Sequence, residues 1–125
     1  MEYDTNVFIN CPFDTAYKPL LDALVFAICD AGFTARSALE ITDSSVNRLD
    51  KIMAIMEDCR LSVHDISKTE VNKHGLPRFN MPFELGLFLG AKRFGTPRHG
   101  KKACLILDRD QYRYKEFLSD IGRLT

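Results

Sequence analysis

The sequence lacks three features that would assign it to a particular class of protein: an excess charge, a long hydrophobic run and an export signal. It contains 17 Lys and Arg against 17 Asp and Glu, so net charge favours neither a nucleic acid nor a membrane surface as partner. No apolar stretch approaches the roughly 18 residues that span a bilayer. The N-terminal segment MEYDTNVF is acidic and is unlike a signal peptide, so we expect a cytoplasmic protein.

Cysteine and histidine are also few, and neither forms a cluster. The cysteines are Cys11, Cys29, Cys59 and Cys104, a spacing that fits neither a zinc site nor a disulfide framework. Reduced thiols are therefore expected. The histidines, at positions 64, 74 and 99, do not suggest a metal site. GxGxxG, Walker and HExxH motifs are missing, which argues against dinucleotide redox chemistry and P-loop hydrolysis, and we expect no cofactor.

Hydrophobic periodicity predicts alternating strands and helices along the chain. Strands are predicted at residues 6–11, 33–38, 61–66 and 103–107. Helices are predicted at 17–31 with Gly32 as the C′ residue just beyond it, after a cap at Asp43 or Ser44, from a cap at Asn80 or Met81 to Gly95, and at 111–124. A polar loop is predicted at 67–79.

The alternating order of these elements predicts an α/β fold with a parallel sheet covered on both faces. We expect a flavodoxin-like three-layer sandwich with four strands in the order 2-1-3-4. A fifth strand is not evident after Leu124. The sequence therefore predicts a single domain over residues 1–125, which is minimal, is C-terminally truncated, or has an open sheet edge that a partner such as a second copy completes.

The predicted strand order also places a ligand site. In open α/β sheets, ligands bind beyond the carboxyl ends of the strands, where the strand order reverses. For the order 2-1-3-4 this point lies between strands 1 and 3, so the relevant loops are 11–19 and 67–79. Asn10, Phe13, Asp65 and Glu84 should therefore converge, although they are far apart in the sequence.

Glu84, in the segment NMPFELG, is the most conspicuous polar residue because an almost wholly apolar run follows it. The sequence leaves two interpretations open. Glu84 could occupy the third position of its helix and cap it. Alternatively, it could be a carboxylate that acts as nucleophile or electrostatic stabiliser at a sugar carbon. The helix N-terminus would favour its ionised form, whereas burial would oppose it.

Two further features have alternative interpretations. Asp65 follows a strand, so it is either a turn residue or an acceptor for ribose hydroxyls or a base edge. A basic stretch surrounds the segment GTPRHGKK and contains Lys92, Arg93, Arg98, Lys101 and Lys102. A solvated loop beyond a helix C-terminus explains this stretch, and a phosphate or nucleic-acid contact is the alternative.

Four segments together resemble a bacterial Toll/interleukin receptor (TIR)-like domain and the related group of nucleoside 2-deoxyribosyltransferases. They are NVFINCPFD, RLDKIMAIMEDCR, LSVHDIS and NMPFELGLFLG. The resemblance implies that Glu84, followed by Leu85, is the catalytic glutamate. TIR-like domains usually have a tryptophan shortly before that glutamate. This chain has none, and Phe79 and Phe83 stand near the position.

The resemblance implies cleavage of an N-glycosidic bond in a nucleotide, with NAD+ as substrate rather than cofactor. The implied substrate-binding residues are Asn10, Phe13, Asp14, Asp65, Ser67, Phe79 and Asn80. It further implies assembly into a homo-oligomer and a role in bacterial defence. Two alternatives remain: a nucleoside deoxyribosyltransferase or nucleotide hydrolase that uses Glu84 as nucleophile, and a non-catalytic module for protein interaction or nucleotide sensing.

Overall fold

The computed structural model describes residues 2–42, 47–67 and 79–109. Within them, four strands form one parallel sheet in the order β2-β1-β3-β4. The strands are β1 (Asn6–Asn10), β2 (Thr34–Ser37), β3 (Leu61–Asp65) and β4 (Ala103–Leu107). The predicted α/β flavodoxin-like fold and its strand order are therefore confirmed.

Helices lie on both faces of this sheet. A short helix, α1 (Glu2–Thr5), precedes β1, and the helices on the faces are α2 (Lys18–Asp30), α3 (Arg48–Glu57) and α4 (Asn80–Phe94). Because successive side chains of a strand point to opposite faces, the core contacts of β1 assign each helix to a face. Phe8 packs in one core cluster with residues of α3 and α4, whereas Val7 and Ile9 pack in another with Ile28 of α2.

The boundaries of α2 follow the predicted pattern closely. A short 3-10 turn at Thr15–Tyr17 precedes the helix, and the Asp14 side chain caps this turn by accepting from the Tyr17 amide at 2.9 Å. After α2, Gly32 has a φ of +89°, a left-handed conformation that glycine adopts without strain. The prediction of Gly32 at the helix end is confirmed.

The predicted starts of the other two long helices are wrong. Helix α3 begins at Arg48, and the side chain of Asn47 caps it by accepting from the Leu49 amide at 2.9 Å. The predicted caps, Asp43 and Ser44, lie outside the described residues. Helix α4 begins at Asn80 itself, after Phe79, whose side chain makes no capping hydrogen bond.

The basic stretch is not simply a solvated loop. Lys92 and Arg93 lie in the last turn of α4, a 3-10 turn follows at Pro97–Lys101, and the next residue, Lys102, is fully buried. Its ammonium donates to the carbonyls of Met56, at 2.9 Å, and Cys59. The predicted loop is wrong at Lys102 because these carbonyls, near the C-terminal end of α3, provide the polar partners that a buried cation needs.

Two further sequence predictions lie outside the described residues: most of the 67–79 loop, and the helix at 111–124. None of the described helices is both long enough and apolar enough to cross a membrane.

Candidate functional site

A cleft of about 730 Å³ opens at the carboxyl ends of β1 and β2. It lies between the loop that follows β1 and the N-terminal ends of α3 and α4. The aromatic and polar side chains on its wall are Phe13, Asp14, Arg48, Phe79, Asn80, Phe83 and Glu84. The structure therefore places a cavity at the edge of the sheet where the strand order predicts a ligand site.

Glu84 lies on the wall of this cleft and is half-buried. It is the fifth residue of α4, so it lies beyond the third position, where a capping glutamate would be. Among the described residues, none donates a hydrogen bond to its carboxylate. The structure thus favours a side chain directed to the cleft over one that caps its own helix.

Burial raises the pKa of Glu84 to about 7, and the positive charge of Arg48 opposes that rise. The sequence analysis expected the helix N-terminus to favour the ionised carboxylate. That effect is confined to the first turn of a helix, and Glu84 lies beyond it. Desolvation therefore dominates, and near neutral pH the group exchanges readily between its acid and carboxylate forms.

Asn10 holds the helix that carries Glu84. Its side-chain amide donates to the Met81 carbonyl in the first turn of α4 and to Nδ1 of His64 on β3, both at 2.8 Å. Asn10 is 2% exposed and does not line the cleft. The structure therefore places this predicted substrate-binding residue beneath the cleft, where it ties β1, β3 and α4 together.

His64 completes this connection as a neutral side chain. Since Nδ1 accepts from Asn10, the proton resides on Nε2, which donates to the Ser62 hydroxyl at 2.7 Å. Burial lowers the pKa of His64 to about 3, so the ring stays uncharged over the physiological range. A lone buried histidine of this kind stabilises the core, as its position on a strand suggests.

Asp65 is likewise engaged inside the protein. One carboxylate oxygen accepts a hydrogen bond from the Tyr17 hydroxyl, and the other accepts from the Ser67 amide at 2.9 Å. Asp65 is 6% exposed and neither it nor Ser67 lines the cleft. The bond to Ser67 shapes the turn that leaves β3, which agrees with the turn-residue alternative of the sequence analysis.

The charges of three carboxylates nevertheless act on one group, the Cys11 thiol. Burial, and then the charges of Asp65, Glu84 and Asp14, raise the pKa of Cys11 to about 12. Cys11 follows β1 and also lines the cleft. The structure thus brings the loop after β1, the end of β3 and the start of α4 together, and it keeps the thiol protonated and unreactive.

Arg48 is the cleft residue that the sequence analysis missed. It is the first residue of α3 and the only cationic side chain among the described residues of the cleft wall. The predicted site included only the loops that leave strands 1 and 3. The connection after β2 begins at the same edge of the sheet and leads to α3, so the sequence did contain a signal for a site residue at the start of α3.

A second groove, of about 670 Å³, runs between α2 and β2 and shares Phe13 and Asp14 with the cleft. Its charged side chains include Lys18 and Asp22, which form an ion pair with each other at 3.0 Å. Because these charges satisfy each other and Glu84 lies elsewhere, we assign the candidate site to the cleft rather than to this groove.

The described residues contain no group of three or more His, Cys, Asp or Glu side chains that could hold a metal ion. The chain matches no protein-family model and none of the curated protein sequences. What the site does is therefore argued from its own geometry and chemistry.

Proposed function

We propose that this chain cleaves the N-glycosidic bond of a nucleotide, with NAD+ as the substrate and Glu84 as the catalytic carboxylate. The observation that carries the proposal is the placement of Glu84, on the wall of a cleft that also presents Phe13, Phe79 and Phe83. A carboxylate can stabilise or trap a ribosyl cation, and aromatic rings can stack on a base. The resemblance to TIR-like domains points to the same bond.

The chemistry needs few groups from the protein. As the bond between C1′ of the ribose and the pyridinium nitrogen breaks, its electron pair goes to nicotinamide, which leaves as a neutral base. The ribosyl centre becomes an oxocarbenium ion, and the ionised Glu84 stabilises it or forms a transient ester with C1′. Water then attacks C1′ and loses a proton, giving ADP-ribose. No general acid is required, because the leaving group is already cationic.

The other residues divide into two groups in this proposal. Phe13 and Phe79 would stack on the bases, while Asp14 and Asn80 would bind hydroxyl groups from the same wall. The sequence analysis assigned Asn10, Asp65 and Ser67 to ribose and phosphate. Because Asn10 and Asp65 have buried internal partners, we assign them instead to holding α4 and the end of β3 in place. The contact of Ser67 with substrate stays a prediction.

The raised pKa of Glu84 bears on one alternative, a nucleoside deoxyribosyltransferase or nucleotide hydrolase that uses Glu84 as its nucleophile. With a pKa of about 7, a large share of Glu84 is ionised at neutral pH, and this carboxylate can attack C1′. The leaving purine or pyrimidine is neutral and leaves more readily when it is protonated. Both reactions therefore use the ionised Glu84, and the alternative differs in that its leaving group needs a proton.

Self-association and a role in bacterial defence belong to the proposal through the resemblance. Several large apolar side chains on α2 and after β2 are exposed, among them Leu20, Phe26 and Leu39. Exposed apolar groups are typical of interaction surfaces, although single ones are ordinary on any protein. We therefore propose that the specific activity, the rate per protein molecule, increases with protein concentration.

The test follows base release from NAD+ and, separately, from deoxynucleosides, with the full chain at several protein concentrations. Glu84→Gln keeps the shape of the side chain and removes its charge, so we expect a loss of at least about 100-fold. Glu57→Gln, on the exposed side of α3, is the matched control and should retain full activity.

The outcomes separate the candidate functions. Release of nicotinamide that disappears in Glu84→Gln supports the proposal, and release from deoxynucleosides alone supports the transferase or hydrolase. Base release of equal rate in Glu84→Gln would refute the catalytic role of Glu84. If no substrate reacts at any protein concentration, the non-catalytic interaction module becomes the better description.

A further inference from the structure

The cleft wall contains one basic and two acidic side chains among the described residues. The acids are Asp14 and Glu84, and the cation is Arg48, the first residue of α3. Most other described residues of the wall have apolar side chains. A substrate that fills this cleft therefore meets negative charge along α4 and the loop after β1, and positive charge at the start of α3.

Arg48 is exposed, and among the described residues it has no ion pair or hydrogen bond through its guanidinium. It lies near enough to Glu84 for its charge to act on that carboxylate. An exposed cation without a fixed partner retains its full capacity to bind an anion. A guanidinium is also the side chain best suited to phosphate, because its fork of N–H groups matches two phosphate oxygens.

The start of α4 contributes to the same surface. Phe79, Asn80 and Met81 line the cleft, and no side chain caps this helix end. A helix N-terminus has a partial positive charge and free N–H groups. This feature adds to the positive potential supplied by Arg48 but does not by itself define a site.

We propose that Arg48 binds the phosphate of the substrate and thereby makes the site favour phosphorylated nucleotides over free nucleosides. The inference rests on the proposed function for the identity of the reacting bond, because Glu84 then faces the ribosyl carbon while Arg48 holds the phosphate end. It assigns to this chain a specificity residue that lies outside the loops expected to form the site.

Binding can be tested without turnover. ADP-ribose and adenosine are titrated calorimetrically into the wild-type chain, Arg48→Gln, Arg48→Lys and the matched control Lys51→Gln. Lys51 is an exposed cation on the same helix that does not line the cleft. We expect Arg48→Gln to weaken ADP-ribose binding at least tenfold, about the loss of one charge-assisted contact, and to leave adenosine binding within twofold. The ADP-ribose affinity of Arg48→Lys should lie between those of wild type and Arg48→Gln, and the affinity of Lys51→Gln should match that of wild type.

Three results would overturn the inference: no ADP-ribose binding by the wild-type chain, ADP-ribose binding unchanged in Arg48→Gln, or an equal loss for ADP-ribose and adenosine. The last would show that Arg48 shapes the cleft or acts only on Glu84. Circular dichroism of each variant verifies that it is folded.

Different results would refute the inference and the proposed function. If NAD+ is not cleaved but ADP-ribose binding depends on Arg48, the inference stands and the proposed function is wrong. If nicotinamide is released with the same KM for NAD+ in wild type and Arg48→Gln, the inference is wrong and the proposed function stands.

Discussion

At the scale of single residues, the titration of Glu84 links the geometry of the cleft to its chemistry. Burial raises the pKa of this carboxyl from its usual value of 4.5 to about 7, and Arg48 partly offsets the rise. An acid whose pKa is raised by folding is protonated in the native state where it would be ionised in the unfolded chain. Between pH 4.5 and 7, Glu84 therefore remains largely in its acid form in the folded protein.

The pH dependence of the reaction follows from this. Since NAD+ cleavage uses the ionised form, kcat/KM for NAD+ should increase as the pH passes through about 7 and level off above it. Measurements of initial rates between about pH 5.5 and 9 locate the inflection. Arg48→Gln removes the cation that favours the carboxylate, so its inflection should move to higher pH. A rate that is flat across this range would show that Glu84 does not titrate in the reaction.

At the scale of elements, Lys102 connects the start of β4 to the C-terminal end of α3. Its ammonium donates to the carbonyls of Met56 and Cys59, and it lies 4.8 Å from the centre of the Phe88 ring on α4. Carbonyls near a helix C-terminus lack partners within the helix, and a buried cation needs acceptors. Lys102 satisfies both requirements at a point where α3, α4 and β4 meet.

Replacing this lysine tests its structural role. Lys102→Met retains most of the volume and removes the donor, so the Cys59 carbonyl loses its lysine partner and the Met56 carbonyl keeps only backbone donors. We expect a loss of about 2 kcal/mol in the free energy of unfolding, measured by urea denaturation. Lys101→Met, at the exposed neighbouring position, is the control and should change stability by less than about 0.5 kcal/mol. Equal effects of the two substitutions would rule out a specific role for the buried ammonium.

At the scale of the whole molecule, the strand order determines which parts of the sheet are most protected. The central strands β1 and β3 have a neighbour on each side, and β1 is buried along its full length. In the described residues, β2 and β4 each pair with one strand only, and their side chains are mostly half-buried or exposed. Local opening at the edges should therefore require less free energy than opening at the centre.

Hydrogen exchange of the native protein measures this difference. Amides of Asn6–Asn10 and Leu61–Asp65 should exchange at least about tenfold more slowly than those of Thr34–Ser37, when followed by mass spectrometry of peptides. The cluster of Asn10, His64 and the Met81 carbonyl should contribute to this protection. Equal exchange in β1 and β2 would contradict the strand order.

The sequence by itself determined the elements and their arrangement in the sheet. Apolar spacing indicated each described strand and each long helix, because that pattern records which side of a segment faces the core. The alternation of strands and helices along the chain then restricted the sheet to parallel strands. The order 2-1-3-4 predicted a ligand site at the carboxyl edge of the sheet, which is the edge where the cleft lies. The sequence also located Glu84 near the start of a helix at that edge. This part of the candidate site could be predicted because the position of a residue within its helix depends on its neighbours in the sequence.

Only the tertiary structure decided which side chains face the cleft. Asn10 and Asp65 have the polarity of ligand-binding residues, yet packing directs them to Met81, His64 and Tyr17. The same packing brings Arg48 to the cleft that Glu84 lines and raises the pKa of that carboxyl. Periodicity depends on neighbours along the chain, whereas partners, burial and charge depend on segments that meet only after folding.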